Sequence, residues 1–222
     1  VQLITHGGML SLERAQSLWD LRVDQYNISL DYLDERHDLA RGMPGLTAKI
    51  LDLVPRMRAA GIGGVRFNTV IKQDNLDQLI PIVERAAALG GGVNFSLYTD
   101  FKNGNRDHLV QAEQHDRLQQ VIHELLAYKR RRRGVITNSD HYLEQIPRYV
   151  RGEMTEPCES GRATIHIDPQ GQVRRCPDFP ADGPWHAYRG YAPIDCNACY
   201  YACRGEAQAP LNLMSRVRGV MA

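Results

Sequence analysis

Over roughly its first two thirds the chain alternates short β-like runs with longer amphipathic stretches, and this period restricts the fold more than any other feature. Four runs stand out: Val1 to Ile4, Asn27 to Leu30, Val65 to Val70, and Val93 to Leu97. Between the second and third, Ile50, Leu51, Val54 and Met57 recur at helical spacing, and the stretch ends at Gly61. Between the third and fourth, Leu76, Leu79, Ile80 and Val83 do the same, ending at Gly90, Gly91 and Gly92. Pro55 and Pro81 fall inside these patterns and either kink the helices or mark late starts. Such βα units build a parallel sheet. Residues 111 to 133 read as a further helix, with Leu118, Val121, Ile122, Leu125 and Leu126 on one side and a basic end from Lys129 to Arg133. Cations at a helix C-terminus complement its dipole, and no aromatic residues are interleaved with them, so nucleic-acid binding is not the expected reading. Val135 to Thr137 is a last β-like run that closes this part of the chain.

The 222 residues carry a formal net charge of +1, which gives no push toward nucleic acid or an anionic membrane. No apolar run reaches the roughly 18 residues of a spanning helix, and no signal-peptide pattern opens the chain, so the expected compartment is the cytoplasm. Val1 lies inside a β-like run with no initiator Met, and natural upstream sequence is expected before it.

All five cysteines, Cys158, Cys176, Cys196, Cys199 and Cys203, fall in the last third. An odd number in one segment, without a secretory signal, fits metal-bound thiolates better than disulfides. From about residue 148 the texture changes to short strands, turns, Pro, Gly and Cys. Ala163 to Ile167 and Gln172 to Arg175 flank the turn Asp168-Pro169-Gln170-Gly171, a hairpin that brings Cys158 and Cys176 toward one open end. Cys196-x2-Cys199-x3-Cys203 supplies a compact second group. Four such thiolates suit an iron-sulfur cluster or tetrahedral zinc, and spacing alone leaves the two open. The expected domains are residues 1–147, 148–209 and a tail, 210–222.

Cys158, twelve residues, Gly171, four residues, Cys176 and a later Cys-x2-Cys group resemble the start of the SPASM/twitch pattern at the C-terminus of many radical S-adenosylmethionine (SAM) enzymes. With five cysteines rather than seven, the segment is similar to the single-cluster twitch form. That resemblance implies one auxiliary 4Fe-4S cluster on Cys158, Cys176, Cys196 and Cys199, with Cys203 a substitute or an unligated thiol. The first part of the chain carries an independent resemblance. Ile28 to Asp31 (ISLD), followed by ERHDLARG through Gly42, looks like the radical SAM strand-and-helix pattern that contacts the cofactor. FNTVI from Phe67, and LITHGG from Leu3 with His6 where Asn is usual, resemble the flanking strands. The implied fold is α/β, a partial βα barrel of the radical SAM type followed by a small hairpin-based iron-sulfur domain. The implied SAM contacts are Thr5, Ser29 and Arg41, with Asp31 and Asn68. A guanidinium fork suits the SAM carboxylate, and Ser, Thr, Asn or Asp at strand ends suit its ribose hydroxyls. The same residues also have structural readings: Ser29 and Asp31 as caps of a helix near Leu33, Arg41 as a surface cation, and Asn68 as a partner of buried backbone.

The family's Cys-x3-Cys-x2-Cys triplet and its Gly-Gly-Glu motif are absent, since no cysteine precedes Cys158. Loss of an N-terminal part accounts for both, so the catalytic 4Fe-4S cluster is expected only in a missing segment and this chain alone is expected to be inactive. The resemblance implies a complete enzyme that cleaves SAM to a 5′-deoxyadenosyl radical, served by an electron donor such as a flavodoxin or ferredoxin. It leaves the substrate unidentified, with a peptide one candidate, and the catalytic residues unknown. The alternative is a non-catalytic binding module with a structural zinc or iron-sulfur site.

Overall fold

The computed structural model describes residues 1–154, 156–190 and 194–210. Two compact units divide the chain: Val1–Tyr98 with His108–Thr137, and Thr99–Asp107 with the residues from Asn138 onward.

The first unit is built on four parallel strands in sequential order: β1 (Gln2–Thr5), β2 (Gln25–Ser29), β3 (Val65–Ile71) and β4 (Gly92–Leu97). The expected strands are therefore present, each within two residues of where the sequence puts it. Val135 to Thr137 adds a parallel bridge beside β4, with the Val93 N–H donating to the Val135 carbonyl at 2.7 Å and the Thr137 N–H to Val93 at 2.9 Å. The helices between strands are α1 (Leu12–Asp20), α2 (Glu35–Arg41), α3 (Leu46–Ala59) and α4 (Leu79–Ala88), and α5 (His115–Arg131) follows β4. Pro81 sits in the first turn of α4, where no intrahelical donor is needed, so it marks a late start; Pro55 lies inside α3.

Side chains alternate across a strand, so the register sorts the sheet into two faces. Tyr26, Ile28, Phe67, Val93, Phe95 and Leu97 are buried on one face, and Ile50, Val54 and Met57 of α3, Ile82 and Val83 of α4 and Leu118, Val121 and Leu125 of α5 complete the core. Asn27, Ser29, Arg66, Asn68, Asn94 and Ser96 share the other. A sheet with one apolar and one polar face, and parallel strands whose carboxyl ends lie together, presents polar side chains where α/β proteins bind ligands.

Local chemistry sets the helix boundaries. Asp34, rather than Ser29 or Asp31, caps α2 by accepting the Arg36 N–H at 3.0 Å, and Gly42 ends that helix in the left-handed region at φ 61°. Asp38 of α2 then caps α3, accepting the Gly45 and Thr47 N–H groups at 2.6 and 2.7 Å. At the entry to β3 only glycine fits: Gly64 has φ +68°, and a Cβ there would fall 2.0 Å from the Asp24 carbonyl oxygen.

The second unit holds α6 (Asp140–Val150), which the sequence reading did not anticipate although Ser139 caps it through the Tyr142 N–H at 3.0 Å. The expected hairpin is present as β5 (His166–Ile167) and β6 (Gln172–Arg174), antiparallel, and a third short strand, β7 (Gly183–Pro184), pairs with β6. The Gly171 N–H closes the turn on the Asp168 carbonyl at 2.8 Å. A last helix, α7 (Ala202–Gln208), packs on α6 through Gly205, where a Cβ would meet the Tyr142 ring at 2.0 Å. The tail from residue 211 lies outside the described residues. Among those described, no helix is long and apolar enough to cross a membrane.

His37 of α2 is fully buried; burial holds its imidazole below its ordinary pKa, in the neutral form, while Nδ1 accepts the Asp31 N–H at 3.3 Å. Asp31 and Asp38 favour its protonation and Arg41 and Lys72 oppose it, but desolvation outweighs them. A folded pKa below the unfolded one means that the unfolded chain binds the extra proton, so the first unit loses stability as pH falls below about 6.5. Urea unfolding at about pH 7.5 and about pH 5.5 should show this loss, and His37→Gln should reduce the difference between the two.

Candidate functional site

The residues with the chemistry of a binding site fall into two groups, one in each unit. In the first unit the group lies just past the carboxyl ends of β2, β3 and β4. Asp31 is the centre of it. Its carboxylate, 4% exposed, accepts the Val70 N–H at 2.8 Å and the Arg41 Nη2 at 2.9 Å, and lies 3.4 Å from Lys72 Nζ. Asn75 ties the same strand ends together, donating to the Asp31 and Val70 carbonyls at 3.1 and 2.8 Å and accepting the Lys72 N–H at 2.9 Å. Lys72 Nζ and the Arg36 guanidinium stand 4.7 and 4.9 Å from the Tyr32 ring centre, and the Tyr32 hydroxyl donates to Asp74 at 2.8 Å. Burial and that carboxylate push the Tyr32 pKa up, so the phenol stays protonated.

Asp31, Tyr32, Arg36, Arg41, Lys72 and Asp74, with Tyr98 and His108, line a cavity of about 460 Å³. Arg41 is part of this lining, and its Nε is buried and has no hydrogen-bond partner among the described residues. A guanidinium oriented by one carboxylate and left with a free N–H is poised to take a second anionic acceptor.

The five expected cofactor residues do not all converge. Ser29 and Asn68 are register partners on the polar face, and the Asn94 amide donates to Asn68 Oδ1 at 2.9 Å. Arg41 and Asp31 meet each other at the strand ends. Thr5 pairs in register with Ile28, which puts it on the opposite face from Ser29, and its hydroxyl accepts the Gly7 N–H at 3.0 Å. Lys72, Tyr32 and Asn75 were not anticipated, because the pairing of Lys72 and Asn75 with Asp31, and of Lys72 with the Tyr32 ring, depends on the register of β2 and β3.

In the second unit the cysteines share a recurring local geometry. The Ser160 N–H donates to the Cys158 sulfur at 3.4 Å and the Ala198 N–H to Cys196 at 3.5 Å. The backbone amides of Asp178 and Tyr201 likewise favour the ionised forms of Cys176 and Cys199. In all four the amide concerned is that of the residue two positions on. For Cys203, exposed on α7, the amide concerned is instead that of the next residue, Arg204. Amide bonds to sulfur favour the thiolate and are a feature of cysteines that bind metal. The chain path brings the turns together, since the Cys158 N–H donates to the Cys196 carbonyl at 3.0 Å and Cys158 bridges to Ile194. Burial pushes the Cys158, Cys176 and Cys199 thiols up, the last to about 12, so without a ligand they hold their protons. Among the described residues, no three His, Cys, Asp or Glu side chains already stand together as a closed metal site.

No family model matches the chain. The fold aligns with a crystal structure of Streptococcus suis SuiB bound to S-adenosylmethionine at a TM-score of 0.58, with 15% identity over 82% of this chain and 45% of that one. Native anSMEcpe with bound AdoMet and the Kp18Cys peptide aligns equally well, at 0.58 and 15% identity, over 84% of this chain and 54% of that one. The fold is that of the radical SAM enzymes. A curated relative, GTP 3′,8-cyclase of Parasynechococcus marenigrum strain WH8102, is 34% identical over 124 residues. That match takes in 50% of this chain but 36% of the cyclase, so the chain spans about half of the solved radical SAM neighbours and about a third of the curated relative.

Removing one partner of a buried ion group leaves the others unpaired, which costs about 3–5 kcal/mol. Asp31→Ala should therefore destabilise the first unit by about that much in urea unfolding, whereas Asp34→Ala should cost only about 1 kcal/mol as a lost helix cap.

Proposed function

We propose that the chain is the part of a radical SAM enzyme that holds the SAM carboxylate and carries an auxiliary iron-sulfur centre. The observation that carries the first half is Arg41, anchored by buried Asp31 at the carboxyl edge of a parallel sheet and keeping a buried, unpartnered Nε. A carboxylate would complete that fork, and Ser29 and Asn68, side by side on the polar face, are suited to ribose hydroxyls. Asp31 orients the guanidinium rather than touching the ligand. Thr5 remains a proposed contact through the proton of its hydroxyl, from its separate position at the end of β1. With a reducing cluster, bound SAM would accept one electron, release methionine and supply a 5′-deoxyadenosyl radical to take hydrogen from a substrate. The Cys-x3-Cys-x2-Cys that holds such a cluster does not occur in these residues, so the 222-residue chain by itself is expected to leave SAM intact.

The second half of the proposal assigns the auxiliary 4Fe-4S cluster to Cys158, Cys176, Cys196 and Cys199. The support is their shared amide pattern, from which Cys203 departs. Ligation would replace the thiol protons and draw the sulfurs together. A peptide is the favoured substrate class, because two of the structural neighbours were solved with peptides, SuiB with its precursor SuiA and anSMEcpe with Kp18Cys. A flavodoxin or ferredoxin is the kind of electron donor such an enzyme needs.

Two experiments test the proposal. Addition of SAM to the labelled chain should shift the amide resonances around Arg41, Ser29 and Asn68, and Arg41→Lys, which keeps a charge beside Asp31 but loses the fork, should weaken that binding by about 1.5–3 kcal/mol, about ten- to a hundredfold. Unchanged SAM affinity in Arg41→Lys would move the contact elsewhere. After anaerobic reconstitution, Cys158→Ala, Cys176→Ala, Cys196→Ala and Cys199→Ala should each lose the iron and sulfide that Cys203→Ala keeps. Retention by Cys158→Ala with loss by Cys203→Ala would reverse the assignment.

A further inference from the structure

Arg204, in α7, is among the largest fully buried side chains of the protein, with 2% of its surface exposed. Each nitrogen of its guanidinium donates, and every acceptor is neutral. Nη1 donates to the Cys199 carbonyl at 2.6 Å, Nη2 to the Glu156 carbonyl at 2.7 Å and to Asn197 Oδ1 at 2.5 Å, and Nε to Gln208 Oε1 at 3.0 Å. The carbon of the fork lies 5.8 Å from the Tyr200 ring centre. Among the described residues no carboxylate pairs with it. A buried cation without a counter-charge is costly, and proteins keep one where an anion answers it. Arg204 clamps the turn from Asn197 to Cys199 by its backbone and its side chain, which seats the fork beside the proposed ligand Cys199 and on the residue next to Cys196. Asn197 passes the constraint on, donating to the Met154 carbonyl at 2.7 Å.

We propose that Arg204 is the buried counter-charge and positioning residue of the auxiliary centre, fixing the Cys196–Cys199 turn and raising the centre's reduction potential. The inference rests on the reading of that centre as an iron-sulfur cluster. Four thiolates around an iron-sulfur core leave net negative charge, and reduction adds more, so a fixed cation in a dry site favours the reduced form. Its guanidinium is needed for the clamp and its charge for the potential, and the two roles separate by substitution.

The test is the midpoint potential of the anaerobically reconstituted chain, followed by electron paramagnetic resonance, together with its iron and sulfide content. Arg204→Met should hold the added electron at least about tenfold more weakly, a fall of about 59 mV for a one-electron couple. Arg204→Lys should lose iron more readily but keep a potential near that of the parent. Gln208→Glu, almost isosteric and placed on Arg204 Nε, adds the missing carboxylate without removing the clamp, so it should lower the potential at full iron content even if neither Arg204 variant folds. A parent chain that loads its cluster, with a potential that Gln208→Glu leaves unmoved, overturns the role of Arg204 and leaves the cluster reading intact. A parent chain that takes up no iron overturns both.

Discussion

The first unit depends on how a single buried carboxylate is satisfied. Asp31 stands at the point where β2 gives way to the loop before α2, and its two oxygens bind β3 through the Val70 N–H, α2 through Arg41 and the residue after β3 through Lys72. Two cations and an amide on one desolvated group fix three elements at the carboxyl edge of the sheet. Such a group adds little net stability, because desolvation offsets much of the attraction, but it admits only one arrangement of the side chains around it. That arrangement leaves Arg41 Nε without a partner among the described residues and Lys72 over Tyr32. Apolar packing of the opposite face supplies the stability, and the polar edge supplies the chemistry.

The second unit meets a different constraint. Its strands are two or three residues long, too short to stand as an independent sheet, and its apolar core is small. Order comes instead from the stack of Tyr142, Tyr200 and Tyr149, with ring centres 5.2 and 5.5 Å apart, and from the Arg204 clamp. A segment of this kind gains from a metal-centred staple. The five thiols and the amides that face them lie in the part of the fold that most needs one.

Much of the first unit was legible from the sequence because its period is strong. Phe67, Thr69 and Ile71 alternate with residues on the polar face, and Leu118, Val121 and Leu125 repeat at helical spacing, so each element announces its own buried side. Boundaries were less legible: the cap of α2 is Asp34, while Asp31, which reads equally well as a cap, turns inward. That choice is made by Val70, Arg41 and Lys72, which only the register of β3 brings to it. Helices α6 and α7 were missed although Ser139 is a good N-cap: α6 has Pro147 inside it, and α7 is only seven residues long in the cysteine-rich segment. The hairpin followed from the turn at Asp168 to Gly171, while β7 did not, since Gly183–Pro184 has no strand signal of its own. Arg204 had no signal at all, being one charge in a polar run until α7 folds it inward.

In the proposed function a radical SAM fold is joined to an auxiliary iron-sulfur centre, and the identity of the metal there decides it. X-ray absorption at the iron and zinc edges, on chain expressed with both metals available and purified without oxygen, tests it directly. The expected result is iron surrounded by sulfur, with the short iron–iron scattering of a cluster, and little zinc. Stoichiometric zinc bound by four sulfurs, with no iron, would contradict it and leave the second unit a structural zinc module.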